Sequence, residues 1–416
     1  MIKINKEVLS GSFVLLIAFN IFSILNFIYQ FAMARFLTPA EYGALAALFS
    51  IVNITALFSD SIQTILTKYS SKENNPGKLK NLFRKTFKKS IKIAGILFVM
   101  FLIIAIILAK VWNIQYLLIV FTGIIIFSSM LTPISRGIMQ GKKRFKSLGL
   151  NLIVESGLKV IFAVILVLIG FSVFGAITAV ILSALIALFV SVYQIRRITN
   201  AKEKPIHLPT IYQQSILIFI FTFAVTLFYT IDIVIAKIVF SPDLAGYYAI
   251  ASVLGKILFW GTQPISKAML PIISGGSKKN NSKQIFYNSL SMLTFLVLIC
   301  LIIFYEFPDM LVRIFSGAYI IQSSSILFKI GLAMALIAYS NIILFYKIAK
   351  TKESKKEIRD DLQPLAFKAV FFFILIAIEA GLLYTSAGEM IVFVNRLVWS
   401  AVIFLIGSLL VYNIRK

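Results

Sequence analysis

A few ionisable and amide residues stand inside long apolar runs of this 416-residue chain. Lys256 lies about ten residues into the run that begins near residue 246, and Asp232 lies toward the end of the run before it, followed by Lys237. Arg35 closes the first run, and Asp60 lies deep in the second. A charge at the centre of a lipid-embedded helix costs roughly 2.5–3.5 kcal/mol, so such groups face a partner or a wet cavity. Asp60 and Asp232 read either as counter-ions of these cations or as sites for a coupling proton or sodium ion. Glu155 and Lys159 are four apart with the acid first, which places them on one helix face as an internal ion pair. Glu379 is placed to pair with Arg396 or with Lys329, and Arg136 reads as an anchor or gate contact beside a basic run.

Catalytic chemistry has little to work with. Gly137 to Lys142, GIMQGK, falls one residue short of a phosphate loop, with Lys143 where Ser or Thr belongs. The one histidine, His207, sits in a polar loop beside Pro205 and Pro209, so no Ser-His-Asp set can be built around it. The one cysteine, Cys300, excludes an internal disulfide and a cysteine metal cluster. The chain reads as no enzyme, with no cofactor and no metal.

The elements that position these residues follow from composition. Hydrophobic residues make up 60% and charged residues 14%, with a mean hydropathy of +0.95. Soluble domains carry roughly 45–50% apolar and about 25% charged residues, so the solvent here is lipid. Twelve apolar runs, each near the 20 or so residues that a spanning helix needs, fall near 11–34, 43–66, 91–109, 115–135, 148–169, 174–195, 214–236, 246–270, 285–305, 321–346, 365–386 and 390–412. The first run is too long for a signal peptide and lacks a small-residue cleavage site, so it reads as a span. Breaks after even-numbered runs are long and basic, as in KYSSKENNPGKLKNLFRKTFKKSIK and KIAKTKESKKEIRDD; breaks after odd-numbered runs are short and nearly free of Lys and Arg. By the positive-inside rule both termini are cytoplasmic. The net charge of +25 is then mainly an orientation signal with some attraction for anionic inner-leaflet lipids, and no nucleic-acid partner is needed.

Two hairpins echo each other. RFLTPAEYG (35–43) and KIVFSPDLAG (237–246) align at an offset of 203, pairing Thr38 with Ser241, Pro39 with Pro242 and Gly43 with Gly246. A one-residue gap then pairs Arg35 with Lys237 and Gln30 with Asp232, while Asn53 faces Lys256 and Asp60 faces Gln263. Thr38 or Ser241 caps the new helix and the proline takes its first position. Six spans per half in equal orientation make a parallel repeat, a transporter signature in which the halves enclose a substrate site and alternate its access. The expected fold is all-α and integral to the membrane, with two pseudo-symmetric six-helix lobes, residues 1–200 and 201–416.

LTPAEYG in the first outer hairpin, RGIMQGKKRF after the fourth span, and AGYYAIASVLGKI leading into QPISKAMLPIIS in the eighth resemble the polysaccharide-synthesis branch of the multidrug/oligosaccharidyl-lipid/polysaccharide exporter superfamily. The chain departs from the peptidoglycan-precursor flippases, which usually carry two further spans. The resemblance implies a monomeric transporter of the cytoplasmic membrane that flips a prenyl-phosphate-linked oligosaccharide, alongside glycosyltransferases or a polymerase of the same pathway. It also places spans one, two, seven and eight around the central cavity. There Lys256, Arg35 and Lys237 suit the phosphate, and Asn53, Gln30 and Gln263 suit sugar hydroxyls. Two alternatives stand beside it: a cation-coupled multidrug antiporter of the same fold, and a non-transporting scaffold of a polysaccharide-assembly complex.

Overall fold

The computed structural model describes residues 6–205, 212–274, 279–317, 321–350, 362–386 and 388–410. His207, both chain termini and much of the basic stretch KIAKTKESKKEIRDD lie outside the described residues. The fold is all-α: α1 (Lys6–Phe36), α2 (Pro39–Lys72), α3 (Pro76–Trp112), α4 (Tyr116–Gly123), α5 (Ile125–Gly141), α6 (Phe145–Leu166), α7 (Ser172–Gln194), α8 (Arg196–Thr199), α9 (Tyr212–Val239), α10 (Pro242–Ser274), α11 (Lys279–Glu306), α12 (Pro308–Ser316), α13 (Ile321–Lys350), α14 (Leu362–Tyr384) and α15 (Met390–Leu410). Among the described residues, ten helical segments are long and apolar enough to cross a membrane, and Ala369–Tyr384 is a shorter apolar helix. One of the ten, Phe145–Gln194, holds both α6 and α7. Gly170 at φ 97° and Ser172 at φ 48° interrupt it, so the apolar runs 148–169 and 174–195 become two helices packed side by side.

The chain separates into two compact units. The first comprises Met1–Leu37 and Ile51–Ser215, the second Thr38–Ser50 and Ile216–Lys416. In the first, Ile65, Leu79, Leu131, Ile134, Leu148 and Ile195 form a buried apolar core near the basic helix ends. Its α5 ends on Gly137 and Gly141, the stretch that faintly mimics a phosphate loop. A Cβ on Gly137 would stand 2.6 Å from Leu66 Cβ, and one on Gly141 would stand 2.0 Å from Ser70 Oγ. The glycines therefore let α5 lie against α2, the small-residue spacing of membrane helix contacts. Gln63 Nε2 seals the contact by donating to Gln140 Oε1 at 2.8 Å. In the second unit α10, α13 and α15 form the centre. Phe228 and Phe404 meet at 4.2 Å between ring centroids, and Phe240 and Phe393 at 5.0 Å. Outward faces are apolar in both units: Val99, Ile103 and Ile107 on α3, and Phe295, Leu298 and Ile302 on α11, are all exposed, as lipid requires.

The start of α2 shows the expected cap. Thr38 N–H and Oγ1 each donate to Glu41 Oε2 at 2.9 Å, a reciprocal capping box with Pro39 at the first helical position. This segment packs with the second unit through its glycine. A Cβ on Gly43 would stand 2.8 Å from Gly246 N, and one on Gly246 would stand 1.9 Å from Pro39 O. The two glycines that align in the repeat thus touch each other, and neither has room for a side chain.

A polar clasp at the basic end of the first unit holds the segment after α8 against the start of α3. Asn81 Nδ2 and Arg84 Nη1 donate to the two oxygens of Glu203 at 2.6 and 2.9 Å. Lys80 Nζ donates to Ala201 O at 2.9 Å, and Lys204 N–H to Gly77 O at 3.1 Å. Arg84, then Asn81, holds the Glu203 carboxyl below its ordinary value of 4.5.

Two outcomes follow. Gly246→Ala forces Cβ into Pro39 O and lowers stability by about 1–3 kcal/mol in thermal unfolding of the detergent-solubilised protein. Gly157→Ala, whose Cβ meets nothing within 4 Å, leaves it unchanged or slightly higher. For the clasp, the folded pKa of Glu203 lies below the unfolded one. Its contribution is therefore complete above pH 4.5 and is lost as pH falls through the folded value. A nitroxide at position 202, in a Cys300→Ser background, gains mobility between about pH 5 and 3. With Glu203→Gln the label has the same mobility at every pH; a pH response there would show that the clasp does not depend on this carboxylate.

Candidate functional site

Asp232 is the centre of a buried polar network in the second unit. It sits on α9 with no exposed surface, and three side chains of α10 converge on it. Lys256 Nζ donates to Oδ1 at 2.8 Å, while Tyr248 Oη and Ser252 Oγ each donate to Oδ2 at 2.8 Å. Tyr248, Ser252 and Lys256 recur every fourth residue, so one face of α10 presents all three donors to a single carboxylate. Both acceptor oxygens are satisfied and the ammonium is 3% exposed, which makes this a closed ion pair inside one bundle. Phe393 lies edge-on to Tyr248 at 5.0 Å and helps keep water away. Glu379 on α14 is fully buried in the same unit, and neither carboxyl oxygen has a hydrogen-bond partner. The pairing expected for Glu379 is not made. Arg396 instead donates to Leu382 O at 3.0 Å and Thr385 Oγ1 at 2.6 Å, and Lys329 donates to Asn395 Oδ1 at 2.8 Å. Each of these cations is instead satisfied by carbonyl, hydroxyl or amide oxygens of a neighbouring helix or turn.

The first unit has its own network on α6. Asn151, Glu155 and Lys159 again recur every fourth residue. Arg136 of α5 donates through Nε to Asn151 Oδ1 at 2.7 Å and through Nη2 to Glu155 Oε2. Asn151 passes the link to Ala187 O on α7 at 2.8 Å. Lys159 turns the other way, donating to Asn26 Oδ1 on α1, and stands 4.8 Å from the centroid of the Tyr29 ring in a cation–π contact. Glu155 therefore pairs with Arg136, where an intrahelical bond to Lys159 is expected. The guanidinium fork reaches two acceptors on α6 at once, which an ammonium four residues along the helix cannot match. Arg136 is a structural partner of the network and is 8% exposed, as is Lys159.

The other sequence candidates are placed differently. Arg35 is exposed at the end of α1, with its guanidinium 4.6 Å from the Phe31 ring centroid. Asp60 is exposed on α2, while Gln30, Asn53 and Gln263 are half-buried. Lys237 is 8% exposed near the end of α9. The networks also recruit Tyr248, Ser252, Asn26, Tyr29 and Asn151, which are not among the sequence candidates. The signal for three of them was present in the sequence: Tyr248-x3-Ser252-x3-Lys256 and Asn151-x3-Glu155-x3-Lys159 are polar stripes at helical spacing through otherwise apolar spans.

Long apolar helices with lipid-facing exteriors and polar networks buried within each unit define a multi-pass membrane protein. The sequence profile of the polysaccharide biosynthesis protein family matches residues 32–325, and the chain belongs to that family. Solved structures share the fold at low identity. The lipid II flippase MurJ, in an inward closed conformation, has a TM-score of 0.67 at 14% identity, covering 97% of this chain and 88% of that one. An inward-facing transporter of the multidrug MATE family has a TM-score of 0.59 at 14% identity, covering 95% and 96%. A superfamily transporter from Pyrococcus furiosus, described as having a binding pocket of reversed polarity, has a TM-score of 0.52 at 15% identity, covering 99% and 96%. No curated protein sequence matches the chain.

Lys256→Met leaves Asp232 buried with only two hydroxyl donors and lowers stability by about 3–5 kcal/mol. Asp232→Asn combined with Lys256→Met recovers most of that loss. Thermal unfolding of the two single variants and the double variant in one detergent measures the coupling, and additive losses would show that the pair is energetically independent.

Proposed function

We propose that the protein flips a prenyl-phosphate-linked oligosaccharide across the cytoplasmic membrane by alternating access, for synthesis of a cell-surface glycan. The observation that carries this reading is the charge balance of the buried networks. In the first unit Arg136 pairs with Glu155 while Lys159 bonds to the neutral amide of Asn26, so that network holds two cations and one carboxylate. In the second, Lys256 already neutralises Asp232. The surplus positive charge of the first unit's network favours a phosphate-bearing cargo and disfavours a cationic one. Family membership supports the same reading. In this proposal Arg35, whose guanidinium is exposed, provides the counter-charge for the phosphate, and half-buried Gln30, Asn53 and Gln263 hydrogen-bond to sugar hydroxyls. Lys237, buried near the end of α9, adds to the positive field around the substrate, while Lys256 stays committed to Asp232. Asp60 is a counter-ion for substrate-binding cations. Membrane lipids are its surroundings, and a glycosyltransferase or polymerase is its pathway partner.

The cation-coupled antiporter has one feature in its favour, the buried and unpartnered carboxyl of Glu379. Proteoliposomes holding a fluorescent prenyl-pyrophosphate oligosaccharide separate the readings. Wild-type protein is expected to expose the labelled glycan to an external impermeant quencher. Arg35→Ala is expected to slow this about tenfold or more at equal reconstitution, since a charge-assisted contact contributes roughly 1.5–3 kcal/mol. No flipping by wild-type protein, together with drug-cation efflux from the same vesicles, would establish the antiporter. Neither activity, with polysaccharide assembly intact in cells carrying Arg35→Ala, would establish the scaffold.

A further inference from the structure

The first unit carries an arginine-lined groove that neither buried network uses. Its volume is about 350 Å³, and Arg144, Ser147, Tyr193, Gln194, Arg196 and Arg197 line it. Three guanidinium groups converge there, and no carboxylate is among the lining residues. Two of them are held in place. Arg144 Nη1 donates to Gln194 O at 3.1 Å, and Arg196 stacks on Tyr193 with its guanidinium 4.4 Å from the ring centroid. Arg144 is also the residue before α6, whose first turn contains Ser147 and has no side-chain cap. The first intrahelical bond runs from Leu148 N–H to Arg144 O, so the earlier N–H groups lack an intrahelical acceptor. The positive end of α6 therefore adds to the arginines. Gln194 Oε1 is buried and has no hydrogen-bond partner.

The surroundings of the groove are those of a lipid. Tyr193 is 64% exposed, and Phe189, one turn back on α7, is 72% exposed. Leu150, one turn into α6 from Ser147, is also exposed. An exposed aromatic beside arginines and continuous with an apolar outer face marks headgroup level on the basic side of the membrane. We propose that this groove binds the phosphate of an anionic membrane lipid with a hydroxylated headgroup. The three arginines and the α6 terminus hold the phosphate, the hydroxyl of Ser147 is at hand for a polar headgroup, and the acyl chains lie along Phe189 and Leu150. The groove is separate from the substrate contacts proposed above and serves retention of a structural or regulatory lipid.

Native mass spectrometry of the detergent-solubilised full chain, titrated with phosphatidylglycerol or with phosphatidylcholine, tests the site. Wild-type protein is expected to retain phosphatidylglycerol preferentially. Arg196→Gln with Arg197→Gln, both on exposed side chains, is expected to weaken that binding about thirtyfold, from roughly fivefold per arginine at an anionic surface. Lys88→Gln with Lys92→Gln removes equal charge from exposed positions on α3 and is expected to leave it within about twofold. Equal losses in the two double variants would reduce the effect to net charge and overturn the site. Full displacement of phosphatidylglycerol by millimolar inorganic phosphate would reassign the groove to a free anion. Tighter binding of undecaprenyl phosphate than of phosphatidylglycerol, lost in the arginine double variant, would reassign it to loading of the transported lipid.

Discussion

A charge placed inside lipid is costly unless a partner meets it, and the two buried networks of the described residues are arranged around that requirement. Hydrophobic burial does not distinguish one lipid-embedded helix packing from another, because lipid is as apolar as a leucine side chain. What fixes α9 against α10 is that Asp232 accepts three donors from one face of α10. What fixes α5, α6 and α7 together is that Arg136, Asn151 and Glu155 satisfy one another and a backbone carbonyl. Each network is expensive to break and inexpensive to keep, so each acts as a register pin for its unit. The glycine contacts then set how closely the pinned helices approach.

The fold was legible because lipid simplifies the code. Apolar runs of spanning length mark helices without ambiguity between helix and strand, and each of the twelve runs read from the sequence falls on helix, the run 115–135 being divided between α4 and α5. Thr38, Pro39 and Glu41 announced their cap by spacing alone. The turn between α6 and α7 rests on a smaller signal, Gly170, the one of four glycines in Phe145–Gln194 that takes a positive φ. Partner choice was harder still. Glu155 and Lys159 satisfy every local rule for an ion pair, yet both turn to other helices. Local spacing says which residues share a face; only the packing of α5 and α1 against α6 says which cation arrives. For the same reason Glu379 could be matched on paper with Arg396 or Lys329 and meets neither.

The repeat is preserved in backbone and abandoned in charge. Gly43 and Gly246 occupy equivalent positions and touch, so the constraint that keeps them small is mutual: either side chain would collide with the other hairpin's backbone. Equivalence ends with the ionisable groups. Lys256 aligns with Asn53 and Asp232 with Gln30, so the ion pair of the second half corresponds to two neutral amides in the first. The buried network of the first unit lies on α6, the fifth apolar run, and does not repeat the one on α9 and α10. The turns and close approaches that echo in the sequence therefore carry no echo of the charges: the two buried networks are unrelated. The first unit's network holds two cations and one carboxylate, whereas the second unit's closes one lysine on one aspartate, so the two interiors differ in polarity.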